Sequence, residues 1–131
     1  MKSKEKALLV ARLARSKKAE GIVVLDMRKL SSVTDYFIIA TATSTRRSQT
    51  IADTIEQGLS KLRESISSIE GYQNGGWILI DAYDVVAHIF NSDVRDFYNL
   101  ESLWSDAPRV RICRRIKKKK TKRSKKTSKR K

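Results

Sequence analysis

Residues Ser31 to Asp53 read SSVTDYFIIATATSTRRSQTIAD and hold a turn, a buried strand, a polar loop and a helix start in unbroken succession. The run Tyr36–Ala40 is apolar and rich in aromatic and β-branched residues, which is typical of a strand covered on both faces. Ser44 or Thr45 can then cap a helix. The apolar stripe of that helix, with a 3.6-residue period, comprises Ile51, Ile55, Leu59 and Leu62. A strand that feeds a helix through a short polar loop predicts an α/β domain.

The segments on either side of this stretch complete a mixed sheet. A first helix is predicted over Lys4–Lys18, closed by Gly21. Two apolar runs, Trp77–Ile80 and Val85–Phe90, are separated only by DAYD and predict an antiparallel hairpin. The other predicted elements are a strand at Ile22–Leu25, the long helix at Ser48–Glu64, an edge strand at Ser65–Glu70, a turn at Gly71–Gly76 and a helical or irregular stretch at Asp93–Trp104. The order predicts an α/β fold with four or five strands flanked by helices.

Charge divides the chain near Pro108, its only proline. The 131 residues hold 29 Lys and Arg against 14 Asp and Glu, a net charge of +15. Fifteen of the basic residues and none of the acidic ones lie in residues 109–131, so residues 1–108 are formally neutral. Beyond Ile116 the chain is nearly all Lys, Arg, Ser and Thr, which cannot bury enough apolar surface to offset chain entropy. We expect one folded domain over 1–108 and a largely disordered basic tail over 109–131.

Most classes of catalytic chemistry lack the residues that they need. Cys113 is the only cysteine, which excludes an internal disulfide and a cysteine-based zinc site. The sequence holds neither a glycine-rich phosphate loop nor a nucleophile elbow. Asp81 and Asp84 are three residues apart across a turn, a spacing that directs the two carboxylates apart rather than toward one metal ion. We therefore expect no catalysis, no cofactor and no metal site.

The sequence also bears on where the protein acts. No apolar run approaches the roughly 18 residues that a membrane span requires. No secretory signal precedes the domain, and the basic amphipathic N-terminus ends in Gly21, as a structural helix does. We expect a cytoplasmic protein that does not engage a membrane.

His88 and Trp77 each have two interpretations. His88, the only histidine, alternates with Val86 and Phe90 on one face of an apolar strand. It is therefore either a hydrogen-bonded structural histidine or a partner contact. Trp77 opens a strand after a glycine turn, where it either caps the core or forms an interface anchor.

The tail also has two interpretations. Its basic side chains suit RNA phosphates, whose neutralisation releases counterions and gives salt-sensitive affinity that does not depend on sequence. The tail has no aromatic residue for base stacking. The residues assigned to RNA binding are Arg114, Arg115, Lys117, Lys118, Lys119, Lys120, Lys122 and Arg123. The alternative is a tail that only solubilises or localises the protein.

From Ala19 to about Ala107 the chain resembles the ribosomal silencing factor family, also called the Iojap family. The stretches that carry the resemblance are LDMRKLSSVTDYFIIATATSTRRSQTIAD (Leu25–Asp53), EG (Glu70–Gly71), W-I-L-I-D-x-x-D-V-V-x-H-I-F (Trp77–Phe90) and FYNLESLWSDA (Phe97–Ala107). One departure is Tyr83, since the family usually has glycine between the two hairpin aspartates. If that position requires a positive φ, tyrosine carries a steric cost there.

The resemblance implies a nucleotidyltransferase-like fold without catalytic machinery. It implies binding to the large ribosomal subunit through its fourteenth protein, on the face that meets the small subunit. An occupied face prevents the subunits from joining, and translation is repressed. The partner-binding positions are Trp77, Asp81, Tyr83, Asp84 and His88, whose acidic members suit a basic ribosomal protein. The tail would add contacts to ribosomal RNA.

Two other classes of function stay open at this point. A general RNA-binding or ribosome-assembly protein would act mainly through the basic tail, and free RNA would compete fully for it. A nucleotidyltransferase-like enzyme would show nucleotide-dependent turnover that is lost on changing Asp81 or Asp84. The residues do not decide between a monomer and a homodimer.

Overall fold

A computed structural model describes residues 1–92 and 107–112 of the chain. The elements in chain order are α1 (Ser3–Ser16), β1 (Glu20–Asp26), β2 (Tyr36–Ala42), α2 (Thr45–Lys61), β3 (Ser68–Glu70), β4 (Trp77–Ala82), β5 (Val85–Asn91) and β6 (Arg109–Val110). The strands form one sheet in the order β3-β4-β5-β2-β1-β6. The β2–β5 pair is parallel and the other pairs are antiparallel. The predicted α/β fold with a mixed sheet is confirmed.

The sheet has one strand more than the four or five predicted. That strand, β6, contains only two residues and pairs with β1, so the first residues assigned to the tail contribute to the sheet. A two-residue strand is too short to show the period-2 alternation that marks a strand in sequence. The predicted segment Asp93–Trp104, Cys113 and all eight basic residues assigned to RNA binding lie outside the described residues.

The helix boundaries differ from those predicted for local reasons. Ser44 is the N-cap of α2, since its Oγ accepts a hydrogen bond from the Arg47 backbone N–H at 3.1 Å. The predicted cap at Ser44 is therefore confirmed, and the helix begins three residues before the predicted start at Ser48. Gly21 does not close α1 as predicted. Lys18 takes the left-handed conformation after that helix (φ 66°), while Gly21 lies within β1 where the pairing register shifts.

The two helices pack on one face of the sheet. A single buried cluster joins the inner faces of α1 and α2 to alternate strand residues such as Ile38, Ile80 and Ile89. On α1 the buried positions are mostly small, Ala7, Ala11 and Ala14, which lets the helix lie close to the sheet. The opposite face carries a second, smaller cluster that contains Leu25, Met27, Ile39, Phe90 and Ala107.

The parallel pair gives the molecule two distinct ends. Tyr36 pairs with Val85 where the two strands start, and Ala42 pairs with Asn91 where they finish. Seven strand residues at about 3.3 Å each separate these ends by roughly 20 Å. We call the first the hairpin end, because the β4–β5 turn lies there. The second is the α2 end, because α2 begins there.

Candidate partner-binding site

The predicted β4–β5 hairpin is confirmed, and its turn is tighter than the sequence suggested. Asp81 and Ala82 continue β4, so only Tyr83 and Asp84 connect the strands. Asp81 Oδ1 accepts a hydrogen bond from the Tyr83 N–H at 3.0 Å. Tyr83 has φ 70°, a region that glycine favours at this position of a two-residue hairpin loop. A tyrosine there costs about 1 kcal/mol of backbone strain.

The loop between β1 and β2 is fastened to this turn. The Asp84 carbonyl accepts hydrogen bonds from Asp35 N (2.8 Å), Tyr36 N (3.1 Å) and Thr34 Oγ1 (3.1 Å). Three bonds to one carbonyl hold the loop in a defined position next to the hairpin.

This attachment brings exposed apolar side chains to the hairpin end. Val33 is 84% exposed, Tyr83 58% and Leu30 49%. We call these three residues, with Asp81 beside them, the hairpin-end patch. Leu30 and Val33 were not among the residues predicted from the sequence. The available signal was an apolar residue on each side of a serine pair, in a segment whose composition is otherwise typical of a turn.

Asp84 forms an ion pair with the buried side chain of Lys6. Lys6 Nζ donates to Asp84 Oδ1 at 3.0 Å and to the Ala82 carbonyl at 2.7 Å, and lies 3.4 Å from Glu64 Oε1. The Lys6 side chain is only 4% exposed, whereas that of Asp84 is 39% exposed. A buried ammonium needs such partners, because removing it from water without them is costly. The Asp84 carboxylate thus has a structural task, whatever contact it makes with a partner.

Replacing Asp84 by asparagine is expected to lower the free energy of unfolding by about 2 kcal/mol, below the usual cost of breaking a fully buried pair because Asp84 is part-exposed. Urea unfolding measures this loss. Asp81→Asn is the control, since its amide oxygen still accepts from Tyr83, and we expect a change within about 0.5 kcal/mol. Equal losses in both variants would contradict the assignment of Asp84 to Lys6.

His88 and Trp77 form a hydrogen-bonded pair on the sheet face opposite the helices. Trp77 Nε1 donates to His88 Nδ1 at 3.2 Å, which assigns the proton of the neutral imidazole to Nε2. Phe37 meets the imidazole edge-on, with ring centroids 4.8 Å apart. His88 is 4% exposed, and burial lowers its pKa to about 4. Its buried Nε2 has no hydrogen-bond partner within residues 1–92 and 107–112.

The five predicted partner-binding residues do not form one cluster. Asp81, Tyr83 and Asp84 lie at the hairpin turn, where Asp81 and Asp84 take different partners. Trp77 lies at the other end of β4 and pairs with Phe90. Trp77 and Asp81 share a sheet face, about 13 Å apart along the strand.

Across the described part of the chain, no group of three or more His, Cys, Asp or Glu side chains could hold a metal ion.

The whole chain, residues 1–131, matches the family described as ribosomal silencing factor during starvation. A ribosomal silencing factor of Halalkalibacterium halodurans is 38% identical over 112 residues, which cover 86% of this chain and 96% of that protein. The chain belongs to the ribosomal silencing factor family. This membership confirms the resemblance that the sequence motifs carry.

Two further proteins are similar to this chain. A crystal structure of a protein from Chromobacterium violaceum superposes with a TM-score of 0.78 at 34% identity, covering 80% of this chain and 88% of that one. A mouse protein named mitochondrial assembly of ribosomal large subunit protein 1 is 28% identical over 100 residues, 74% of this chain and 44% of that protein.

Family membership implies a ribosome-associated protein that represses translation, and ribosomal silencing factors are not known enzymes. Neither helix of the described residues combines the length and apolar character that crossing a membrane would require.

Proposed function

We propose that this silencing factor binds the large ribosomal subunit on the face that meets the small subunit and represses translation by blocking subunit joining. Its membership of the silencing factor family supports this function. The mouse relative named for assembly of the ribosomal large subunit supports that subunit as the target. The compartment that we propose is the cytoplasm.

The observation that carries the proposal is the conformation and exposure of Tyr83, which has φ 70° and is 58% exposed. Neither burial nor backbone preference accounts for a tyrosine there. Strained backbone persists where the surrounding structure enforces it, and such positions concentrate at functional sites. Exposed tyrosines are frequent anchors of protein interfaces. Val33 and Leu30 extend the apolar surface, and Asp81 gives it an acidic rim.

This combination suits a basic ribosomal protein, and we propose the fourteenth protein of the large subunit as the partner. Apolar side chains at the centre supply affinity, while a rim carboxylate steers a cationic partner toward them. The proposed interface centres on Tyr83 and Asp81. Trp77 is proposed to contribute from the same sheet face as Asp81, with the buried His88 orienting its indole through their hydrogen bond. The basic tail is proposed to add contacts to ribosomal RNA.

Tyr83→Gly separates binding from folding. Removing the side chain relieves the left-handed strain, which offsets the greater freedom of glycine in the unfolded chain, so we expect the free energy of unfolding to change by less than about 1 kcal/mol. Affinity for purified large subunits is expected to fall about tenfold, as for an interface anchor of moderate size. Co-sedimentation with large and with small subunits measures it. Unchanged affinity would remove Tyr83 from the interface.

A matched pair of charge reversals completes the experiment. Asp81→Lys is expected to weaken large-subunit binding several-fold through a slower association rate, whereas Glu56→Lys, on the exposed side of α2, makes the same charge change without effect. Asp84 is not suited to this test because its loss disturbs Lys6. Bound wild-type protein must also inhibit subunit joining in proportion to occupancy. Equal binding to both subunits that disappears at high salt would favour the general RNA-binding alternative.

A further inference from the structure

Four cationic side chains meet at the α2 end of the molecule. Lys17 and Lys18 follow the last turn of α1, and Arg46 and Arg47 lie in the first turn of α2. Arg47 Nη1 donates to the Lys17 carbonyl at 3.4 Å, which brings the two segments together. Lys17, Lys18 and Arg46 are exposed, and Arg47 is half-buried. We call these four residues the α2-end patch.

The four cations of this patch outnumber Glu20, an exposed acidic residue that starts β1 at the same end of the sheet. None of the ion pairs within 4 Å that join residues of the described ranges includes a member of the patch. Residues 1–108 are formally neutral as a whole, so four cations at one end are a local surplus and not the consequence of a basic domain. Such a surplus attracts polyanions from a distance.

The position of the two arginines at the N-terminus of α2 is electrostatically unfavourable for the helix itself. The N-terminus of a helix carries a partial positive charge and favours acidic residues. The first turn of α2 holds no acidic residue and two arginines instead. Arg47 is compensated in part by the carbonyl at the C-terminal end of α1, whereas the Arg46 side chain makes no such contact with the part of the chain that the structure describes. The fold therefore maintains an arrangement that an anionic partner would stabilise.

We propose that the α2-end patch binds the phosphate backbone of double-stranded RNA. The proposal extends the proposed ribosome-binding function, on which it rests for its biological setting, to a second partner class. Lysine and arginine contact phosphates directly, and double-stranded RNA is bound mainly through its backbone and shape. The large exposed apolar side chains among the described residues, Met1, Leu30, Val33, Leu62 and Tyr83, lie outside the patch. An apolar protein interface or base stacking is thus not favoured here.

The two ends of the molecule can act together. The parallel strands place the hairpin-end patch and the α2-end patch at opposite ends of the sheet, roughly 20 Å apart. A protein bound at the hairpin end therefore leaves the α2 end free for RNA. The folded domain itself would then bridge a ribosomal protein and ribosomal RNA without the tail.

Residue-resolved NMR of the full chain separates the patch from the basic tail. The ¹⁵N-labelled protein is titrated with a 12-base-pair RNA duplex in moderate salt. We expect saturable amide shifts at Lys17, Lys18 and residues 45–47. Shifts confined to residues beyond 112 would overturn the proposal, because the tail alone would then bind the duplex.

Charge-matched variants of the full chain provide the second measurement. The double variant Arg46→Gln with Arg47→Gln is expected to weaken duplex binding roughly tenfold. The slope of the logarithm of the binding constant against the logarithm of the salt concentration is expected to fall by the equivalent of about two phosphate contacts. Lys4→Gln with Lys61→Gln removes the same charge from exposed positions outside the patch and should cause a loss of about twofold or less. Equal losses in the two double variants would overturn the proposal. Unfolding curves check that the variant folds, since Arg47→Gln also removes the hydrogen bond from Arg47 to the Lys17 carbonyl.

The outcomes distinguish this inference from the proposed function. Selective binding to the large subunit without duplex-induced shifts in the patch overturns the inference alone. Shifts in the patch without selective large-subunit binding support the inference and overturn the proposed function instead.

Discussion

Acidification from pH 7 to pH 4 is expected to lower the free energy of unfolding by about 3 kcal/mol through His88 alone. Burial lowers the pKa of this imidazole from 6.5 to about 4 in the folded protein. The unfolded chain therefore takes up a proton near pH 6.5, and the folded chain does not until about pH 4. The stabilisation is fully present above pH 6.5 and is lost as the pH falls toward 4.

The surroundings of His88 explain why the neutral ring is favoured. Its Nδ1 already accepts from Trp77 Nε1, so a second proton there would oppose an N–H donor. Phe37, Trp77 and Phe90 surround the ring with aromatic groups. Aromatic faces attract cations only weakly compared with the hydration that a buried imidazolium loses.

Urea unfolding of the wild type and His88→Gln at pH 7, 5.5 and 4 measures this contribution. Glutamine keeps an acceptor for Trp77 but does not titrate. Carboxylates titrate in both proteins, so the difference between the two pH profiles isolates the imidazole, and the chain has no other histidine. Parallel profiles would show that folding does not lower the pKa of His88. The expected result is a wild type that loses about 3 kcal/mol more than the variant.

The elements that sequence analysis located correctly are those with a local signal. The 3.6-residue spacing of Ile51, Ile55 and Leu59 identified α2, and all three are buried. Leu62, the fourth member of the predicted stripe, is the C-cap of the helix and is 49% exposed. The alternation along β5 separated His88, Val86 and Phe90 from the residues between them, and the structure turns that second set toward the helices. The hairpin followed from the short link between two apolar runs. Each of these patterns is complete within about ten residues, so no distant contact was needed to interpret it.

The features that sequence analysis did not predict depend on contacts between distant parts of the chain. The parallel pairing of β2 with β5 joins strands separated by all of α2, and no periodicity specifies it. Lys6 reads as a solvent-exposed cation on a helix, yet partners from two other segments hold it inside the fold. The α2-end patch likewise combines cations from α1 and α2 that are far apart in sequence.

In the candidate site, too, residues with a local signal were predicted and residues placed by long-range contacts were not. The two hairpin aspartates were recognised from the sequence. Strain at Tyr83 was predicted for the case that this position requires a positive φ, and its φ is indeed positive. It did not show that Asp84 would bind a buried lysine, because the two residues are 78 positions apart. It did not bring Leu30 and Val33 to the hairpin, because the hydrogen bonds to the Asp84 carbonyl that position the loop are also long-range.

Gly71→Ala is expected to destabilise the fold most, by at least about 3 kcal/mol. Gly71 has φ 78°, where an alanine costs about 1–2 kcal/mol. A Cβ atom at this position would also overlap the carbonyl oxygen of Trp77. The overlapping group is backbone within the sheet, so β4 or the loop must move to relieve it. That loop anchors α2, since Ser48 Oγ donates to the Gly75 carbonyl and Gln49 Nε2 to the Tyr72 carbonyl, both at 2.8 Å.

Gly58→Ala is the control, because it makes the same chemical change inside a helix. Its added Cβ meets only the end of the Leu13 side chain, which can change rotamer, and alanine gains up to about 1 kcal/mol of helix propensity over glycine. We expect its unfolding free energy to stay within about 1 kcal/mol of the wild type, as measured by urea denaturation. Similar losses in both variants would contradict the backbone overlap at Gly71. A large loss at Gly71 alone would mean that the fold requires the glycine of the Glu70–Gly71 motif, because its backbone conformation and the approach of the Trp77 carbonyl leave no room for a side chain.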